Sequence, residues 1–188
     1  MAVGTRYARK CMKLSEVIST VTNLKDGTLL GPEVIEVKRI VGDLSGYWLD
    51  SDAAKKQAND LLYITQSWFP VPEETEGAIL WGNTTLMPGT VGDEYFMTRG
   101  HWHKKRDRGE LCVTVSGSGL LVLMNESRET RFEPMSPGST HYVPGYTAHR
   151  TVNTGDEPMV FLCAWPADCG HDYQAIREEG FSRRVRRT

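Results

Sequence analysis

Between Ala78 and Trp165 the chain is broken into short β-prone runs by turn signals at Pro88-Gly89, Ser116-Gly117, Pro137-Gly138 and Thr154-Gly155-Asp156. Runs such as EYFMTRGHWH, LCVTVSGSGLLVLMNES and EPMVFLCAW, set between such breaks, have the texture of an antiparallel sandwich or barrel. This punctuation predicts an all-β core and limits what the other segments can add to it. Ahead of it, EVIEVKRIVGDL alternates weakly like strands, and SDAAKKQANDLLYITQSW reads as a helix capped by Ser51 or Asp52. Behind it, HDYQAIREEGF carries helix formers, and the closing RRVRRT reads as a solvated basic end. No internal repeat, low-complexity segment or linker intervenes, so residues 1–188 are expected to form one domain. Its parts are a barrel core over roughly 78–165, an N-terminal extension over 1–77 and a C-terminal helix and tail over 166–188.

A chain of 188 residues buries roughly two thirds of its unfolded surface and needs no disulfide staples. The formal net charge of -2 and pI near 6.2 give no field that would draw nucleic acid as the main partner. Cys11, Cys112, Cys163 and Cys169 are irregularly spaced and form no C-x-x-C pair, as expected of reduced, packing thiols. The N-terminus MAVGTRYARKCMKLSEV has no apolar h-region, and no long uncharged apolar window follows. A soluble, cytoplasmic protein without membrane contact is therefore expected.

Within the core, GHWHKKRDRGE spans Gly100 to Glu110. Residues two apart on a strand share a side, so His101 and His103 present their imidazoles together while Trp102 faces away. The turn-compatible KKRDRG is expected to return the chain antiparallel, bringing Glu110 back to both histidines from one hairpin. His149, delivered into another strand by the Pro144-Gly145 turn, is a fourth candidate. Three neutral imidazoles and a carboxylate suit a divalent transition ion with open positions. Taken singly, a histidine such as His141 or His149 is more often an ordinary hydrogen-bonded residue. The run Lys104, Lys105, Arg106 and Arg108 reads equally as a field steering an anionic ligand and as a wet turn.

GHWHKKRDRGELCVTVSG resembles the first cupin motif, with H-x-H, Glu110 after six intervening residues and Gly117 after six more. Gly138, Pro144, His149 and Asn153 resemble the second, G-x5-P-x-G-x2-H-x3-N, with Tyr146 standing where glycine is usual. The resemblance implies that His101, His103, Glu110 and His149 bind one metal ion inside a double-stranded β-helix, a jelly-roll barrel. NTTLMPGTVGDEYFMTRGHWH, YTAHRTVNTGDEP and WPADCGHDY together are similar to the cupin-type phosphoglucose isomerases, over roughly Tyr63 to Phe181. That family interconverts glucose 6-phosphate and fructose 6-phosphate. It implies a homodimer acting in glycolysis and gluconeogenesis with one divalent ion per subunit: Fe2+, with Mn2+, Ni2+ or Zn2+ as alternatives. Acceptance of mannose 6-phosphate stays open.

Moving hydrogen between C1 and C2 of a sugar phosphate needs a Lewis acid near two oxygens, a group that handles protons, and a grip on the phosphate. By resemblance Glu110 is the base of a cis-enediol route; a metal-assisted hydride shift would use the same residues differently, and both routes stay open. No G-x-x-x-x-G-K-[ST] loop is present, so hydroxyls and backbone N–H groups must hold the phosphate. The resemblance assigns this to Thr84, Thr98 and Gly100, and gives His171 and Tyr173 of GHDY the task of closing over the sugar phosphate. Without it, each threonine is strand filler and GHDY a helix cap.

Strict alternation places Thr98 and Gly100 on the side opposite His101, so both sets meet one ligand only if the strand is irregular, as a bulge at Gly100 would make it. Cys112 shares the face of Glu110 by parity and should border the pocket. Cys112 and Trp165 depart from the aromatic residues usual at those positions in the family, Trp165 in bulk alone. Otherwise Cys112 is a small buried hydrophobe and Trp165 core. Two other readings stand beside the isomerase: a cupin dioxygenase using iron and O2, and a non-catalytic sugar-phosphate-binding cupin.

Overall fold

The computed structural model describes residues 19–188, so Cys11 and the basic N-terminal segment lie outside the described residues. Its strands are β1 (Val21–Thr22), β2 (Leu29–Leu30), β3 (Val34–Ile40), β4 (Leu61–Trp68), β5 (Ile79–Leu86), β6 (Thr90–Val91), β7 (Glu94–Tyr95), β8 (Trp102–His103), β9 (Glu110–Ser116), β10 (Gly119–Asn125), β11 (Thr130–Met135), β12 (Thr140–Val143), β13 (Thr147–Asn153), β14 (Met159–Pro166) and β15 (His171–Asp172). Helices α1 (Ser51–Lys56) and α2 (Gln174–Glu179) are each under two turns long. The all-β expectation is met.

One sheet has the order β12-β9-β14-β5-β4-β3 and a second the order β11-β10-β13. All their pairings are antiparallel. The two sheets close on a shared interior, which Cys112 and Phe161 line from the first and Leu121 and His149 from the second. This is the cupin jelly roll. Apolar packing seals it on both flanks. Leu44, Leu62, Leu86, Val122, Met124 and Ile176 form one cluster, and Leu121, Met135, Val143, Met159 and Phe161 another. Each fully buried side chain of this size contributes about 1.5–3 kcal/mol relative to leaving it in water.

Ahead of the barrel core, the segment supplies more than an appendage, because β4 pairs with β5 along its length and β3 with β4. The helix expected across Ser51–Trp68 ends at Lys56. Beyond it Leu61–Trp68, rich in β-branched and aromatic residues, is hydrogen-bonded on both sides, and sheet pairing overrides the local helical pattern. Nor is the cap Ser51 or Asp52. The Asp50 carboxylate accepts from Asp52 N at 3.1 Å and Ala53 N at 2.8 Å. The basic end is docked instead of solvated. Arg184 donates to Glu94 at 2.6 Å, and Tyr95 N donates to the Val185 carbonyl at 3.3 Å. Glu94 is 1 % exposed, and a carboxylate that deep needs a cationic partner.

Candidate metal centre and its cavity

The strand that carries the histidines is irregular. Met97 bridges Val152 and His101 bridges His149, so a step of four residues on one side is matched by three on the other. Thr98 N donates to the Thr151 carbonyl at 2.9 Å, and its Oγ1 accepts from Thr151 N at 3.0 Å. The extra residue is absorbed at Gly100, whose φ is +74°, the left-handed conformation that glycine adopts without penalty. Arg150 braces the bulge by donating to the Arg99 carbonyl at 2.8 Å. The parity conflict is thereby resolved, and Thr98, Gly100 and His101 all line one cavity.

His101 and His149 exchange backbone hydrogen bonds of 3.1 Å, which sets their rings 4.4 Å apart. The His103 ring lies 5.4 Å from that of His149. His103 Nδ1 stands 2.9 Å from the Arg108 carbonyl, a contact that fixes the proton on Nδ1 and leaves the Nε2 lone pair facing inward. Glu110 Oε2 lies 3.3 Å from His103 Nε2 and 3.4 Å from His149 Nε2. The second contact lacks hydrogen-bond alignment. Among the described residues, His101 Nε2 and both ring nitrogens of His149 are therefore buried without a partner.

One donor atom from each of His101, His103, Glu110 and His149 lies within 4.8 Å of the others. An unpartnered buried polar atom costs about 1–3 kcal/mol, so orphaned imidazole nitrogens around a carboxylate fit a cation and little else. Charge agrees with that fit. Burial, then His149 and His171, hold His101 well below the usual histidine range, leaving it neutral. Burial alone would raise the Glu110 carboxyl, but His149 and then the contact with His103 outweigh it and hold the group well below the usual range. Neutral imidazoles and an anionic carboxylate are the donors of a divalent transition ion. His141 belongs elsewhere, with Nε2 2.9 Å from Ser139 Oγ.

The donors do not come from one hairpin. β8 pairs with β15, whereas β9 pairs with β12 and β14, so the connection 104–109 crosses between sheets. Its charges explain how it is held. Lys105 Nζ lies 2.7 Å from Asp168 and Arg108 Nη2 2.8 Å from it, while Arg106 Nη2 lies 2.9 Å from Asp172. The Asp168 side chain is 1 % exposed, and Arg108 and Lys105 hold its carboxyl far below the usual range. Most of the charged run is therefore an ionic clamp and not simply a wet turn. In the second motif Tyr146 has φ 58°, so the backbone keeps the shape that glycine would suit.

The cavity measures about 320 Å³ and is lined by His101, Glu110 and His149 together with Thr84, Thr98, Gly100, His171, Tyr173, Cys112 and Trp165. The structure brings these residues to one cavity, with buried His103 reached through Glu110 at 3.3 Å. His171 lies 4.5 Å ring to ring from His101 and stacks on Tyr173 at 5.8 Å and 17°. Burial, above all, pushes His171 down to about 4 and Tyr173 up. GHDY is not merely a cap: His171 and Asp172 pair with β8, and only the Asp172 carboxylate caps α2, accepting from Ala175 N at 3.3 Å. Trp165 lies over Gly82, where a β-carbon would stand 2.9 Å from its ring. Tyr63, Arg99 and Cys163 also line the cavity and carry no sequence signal by themselves. Arg99 sits 4.6 Å over the Tyr173 ring, turned into the cavity wall by the bulge.

An antiparallel β-barrel whose two cupin motifs bring three imidazoles and a carboxylate to one buried point defines a cupin with a candidate metal centre. The sequence model of the glucose-6-phosphate isomerase family matches residues 38–186. The glucose-6-phosphate isomerase of Thermococcus onnurineus is 39% identical over 93% of this chain and 91% of its own. That of Thermococcus litoralis is 45% identical over 78% of each, and that of Sinorhizobium medicae 37% over 89% and 79%. Among solved structures, oxalate decarboxylase of Bacillus subtilis aligns at a TM-score of 0.45 and 24% identity over 56% of this chain and 26% of that one, too distant to bear on activity. The chain belongs to the glucose-6-phosphate isomerase family.

Proposed function

We propose that this protein is a metal-dependent aldose–ketose isomerase interconverting glucose 6-phosphate and fructose 6-phosphate. The observation that carries the reading is that the four-donor set opens, through His101, Glu110 and His149, onto a cavity that also holds hydroxyl, amide and cationic functions at Thr84, Thr98, Gly100 and Arg99. A divalent cation held by His101, His103, Glu110 and His149 would supply Lewis-acid polarisation of the sugar carbonyl.

The chain's own groups do the rest. Glu110 Oε2 faces the imidazoles, while Oε1 meets the weak Cys112 thiol at 3.5 Å. Oε1 is the oxygen available to take a proton from one sugar carbon and return it to its neighbour. The Thr98 hydroxyl oxygen accepts from Thr151 N, which leaves its own proton for a phosphate oxygen. Arg99 supplies a positive charge for the phosphate. His171 and Tyr173 form a polar wall against the sugar and narrow the access of water. Iron(II) as resident ion, a cytoplasmic place in glycolysis and gluconeogenesis, and a homodimeric assembly belong to the same proposal and rest on the family resemblance.

A coupled isomerase assay across a panel of divalent ions, with and without EDTA, tests it. Chelation abolishes turnover and a divalent ion restores it. Full activity in metal-stripped protein overturns the metal-dependent reading, and calorimetric binding of fructose 6-phosphate without turnover overturns the enzyme.

A further inference from the structure

The cavity holds a pair of thiols that isomerisation does not use. Cys112 on β9 and Cys163 on β14 stand directly opposite each other across an antiparallel pair, with sulfurs 3.0 Å apart. Cys112 is buried and Cys163 half-buried, and both are free thiols that line the same cavity as the histidines. Cys112 Sγ also reaches Glu110 Oε1 at 3.5 Å. One donor atom from each of Glu110, Cys112 and Cys163 lies within 4.8 Å of the other two. The Glu110 carboxylate is divided between two environments, one oxygen facing nitrogen donors and the other facing sulfur.

We propose that Glu110, Cys112 and Cys163 form a second cation subsite, selective for soft, thiophilic divalent ions and sharing Glu110 with the histidine set. Thiolate donors select soft ions over the harder ions that imidazole and carboxylate accept. Tetrahedral coordination with metal–sulfur bonds of about 2.3 Å separates two sulfurs by about 3.8 Å, so the thiols need part by only roughly 1 Å. Binding is balanced as one divalent cation plus two thiols giving a bis-thiolate complex and two released protons. Oxidation to a disulfide is the less favoured fate. The two thiols sit at a directly opposed position of an antiparallel pair, with Cys112 buried, so an oxidant has poor access to them. An incoming cation displaces the thiol protons and holds both sulfurs as thiolates. A soft ion in this subsite occupies Oε1, the oxygen proposed to move the proton, and so stops turnover without vacating the histidines.

The subsite stands independently of the isomerase reading, because its test reads sulfur coordination and not turnover. Full-length protein, reduced and desalted anaerobically, is titrated with Cd2+ while bound metal and near-ultraviolet absorption are followed. Wild type takes up two equivalents and develops a thiolate-to-cadmium charge-transfer band. Cys163→Ala and Cys163→Ser take up one equivalent and lose the band, whereas His149→Ala keeps it. X-ray absorption at the cadmium edge of wild type shows sulfur neighbours, a result that needs no variant. Purely nitrogen and oxygen neighbours overturn the proposal. So does a band that survives both Cys163 substitutions, which would place the ion on sulfur other than the Cys112–Cys163 pair, such as Cys169 beside His103 and His171 among the described residues.

Discussion

Gly100 and Arg150 are packed so closely that a β-carbon on the glycine would lie 3.0 Å from both the Cβ and the Nε of the arginine, and 2.8 Å from the Phe181 ring. Arg150 is buried and cannot withdraw into solvent, since its guanidinium spans Met97 Sδ, the Arg99 carbonyl and the Phe181 ring. Gly100→Ala adds a left-handed backbone penalty of about 1–2 kcal/mol to that clash. Each kcal/mol lowers Tm by about 2–4 °C in a chain of this size. The bulge also sets His101 against His149, so bound metal and turnover fall together with Tm. Thermal melting, metal analysis and the coupled assay on one preparation check this.

Glu110→Gln keeps the shape of the side chain and removes its charge and its basicity. Turnover drops by about 10²–10⁴-fold, the usual worth of a positioned general base, and the ion is held less tightly. Metal-saturated variant is the decisive sample. If saturation restores full activity, Glu110 acts only as a ligand.

Asp168 ties stability to pH. Its carboxyl is depressed in the fold by Arg108 and Lys105, below the unfolded value of about 3.9. Its contribution is therefore complete above about pH 5 and disappears as pH falls through 4 toward the folded value. Asp168→Asn lowers Tm by several degrees at pH 7, and the gap between variant and wild type closes on acidification below about pH 4. Melting curves from pH 7 down to pH 2 show whether the two lines converge.

Tyr146→Gly runs against the usual direction of mutation. Tyr146 is 54% exposed and holds φ 58°, so glycine relieves strain of about 1 kcal/mol or more and sacrifices little buried surface. Tm rises by about 2–4 °C. A fall in Tm on calorimetry shows that the ring contributes more than the backbone strain costs.

The donor set is legible in the sequence because its information is local: H-x-H on one strand, a glutamate after six intervening residues, and a histidine following Pro144-Gly145. The bulge is legible as well, as a contradiction. Thr98 and His101 have opposite parity, and one ligand can meet both only if a residue is inserted. What escapes is pairing across long separations. Leu61–Trp68 continues a helical pattern and becomes strand only through its neighbours β3 and β5. Lys105 and Arg108 look like turn charges until Asp168, sixty-odd residues on, is folded against them. Cys112 and Cys163 are 51 residues apart and meet only because β9 lies beside β14.

Glu110 belongs to the sheet of β9, and His149 to that of β13, opposite it. An ion gripped by both rivets one half of the barrel to the other, tying occupancy to global stability. At a free concentration one hundred times its dissociation constant such a rivet adds about 2.7 kcal/mol. Scarcity of the ion would thus thin the folded population as well as slow the chemistry, and metal supply would govern how long each molecule survives.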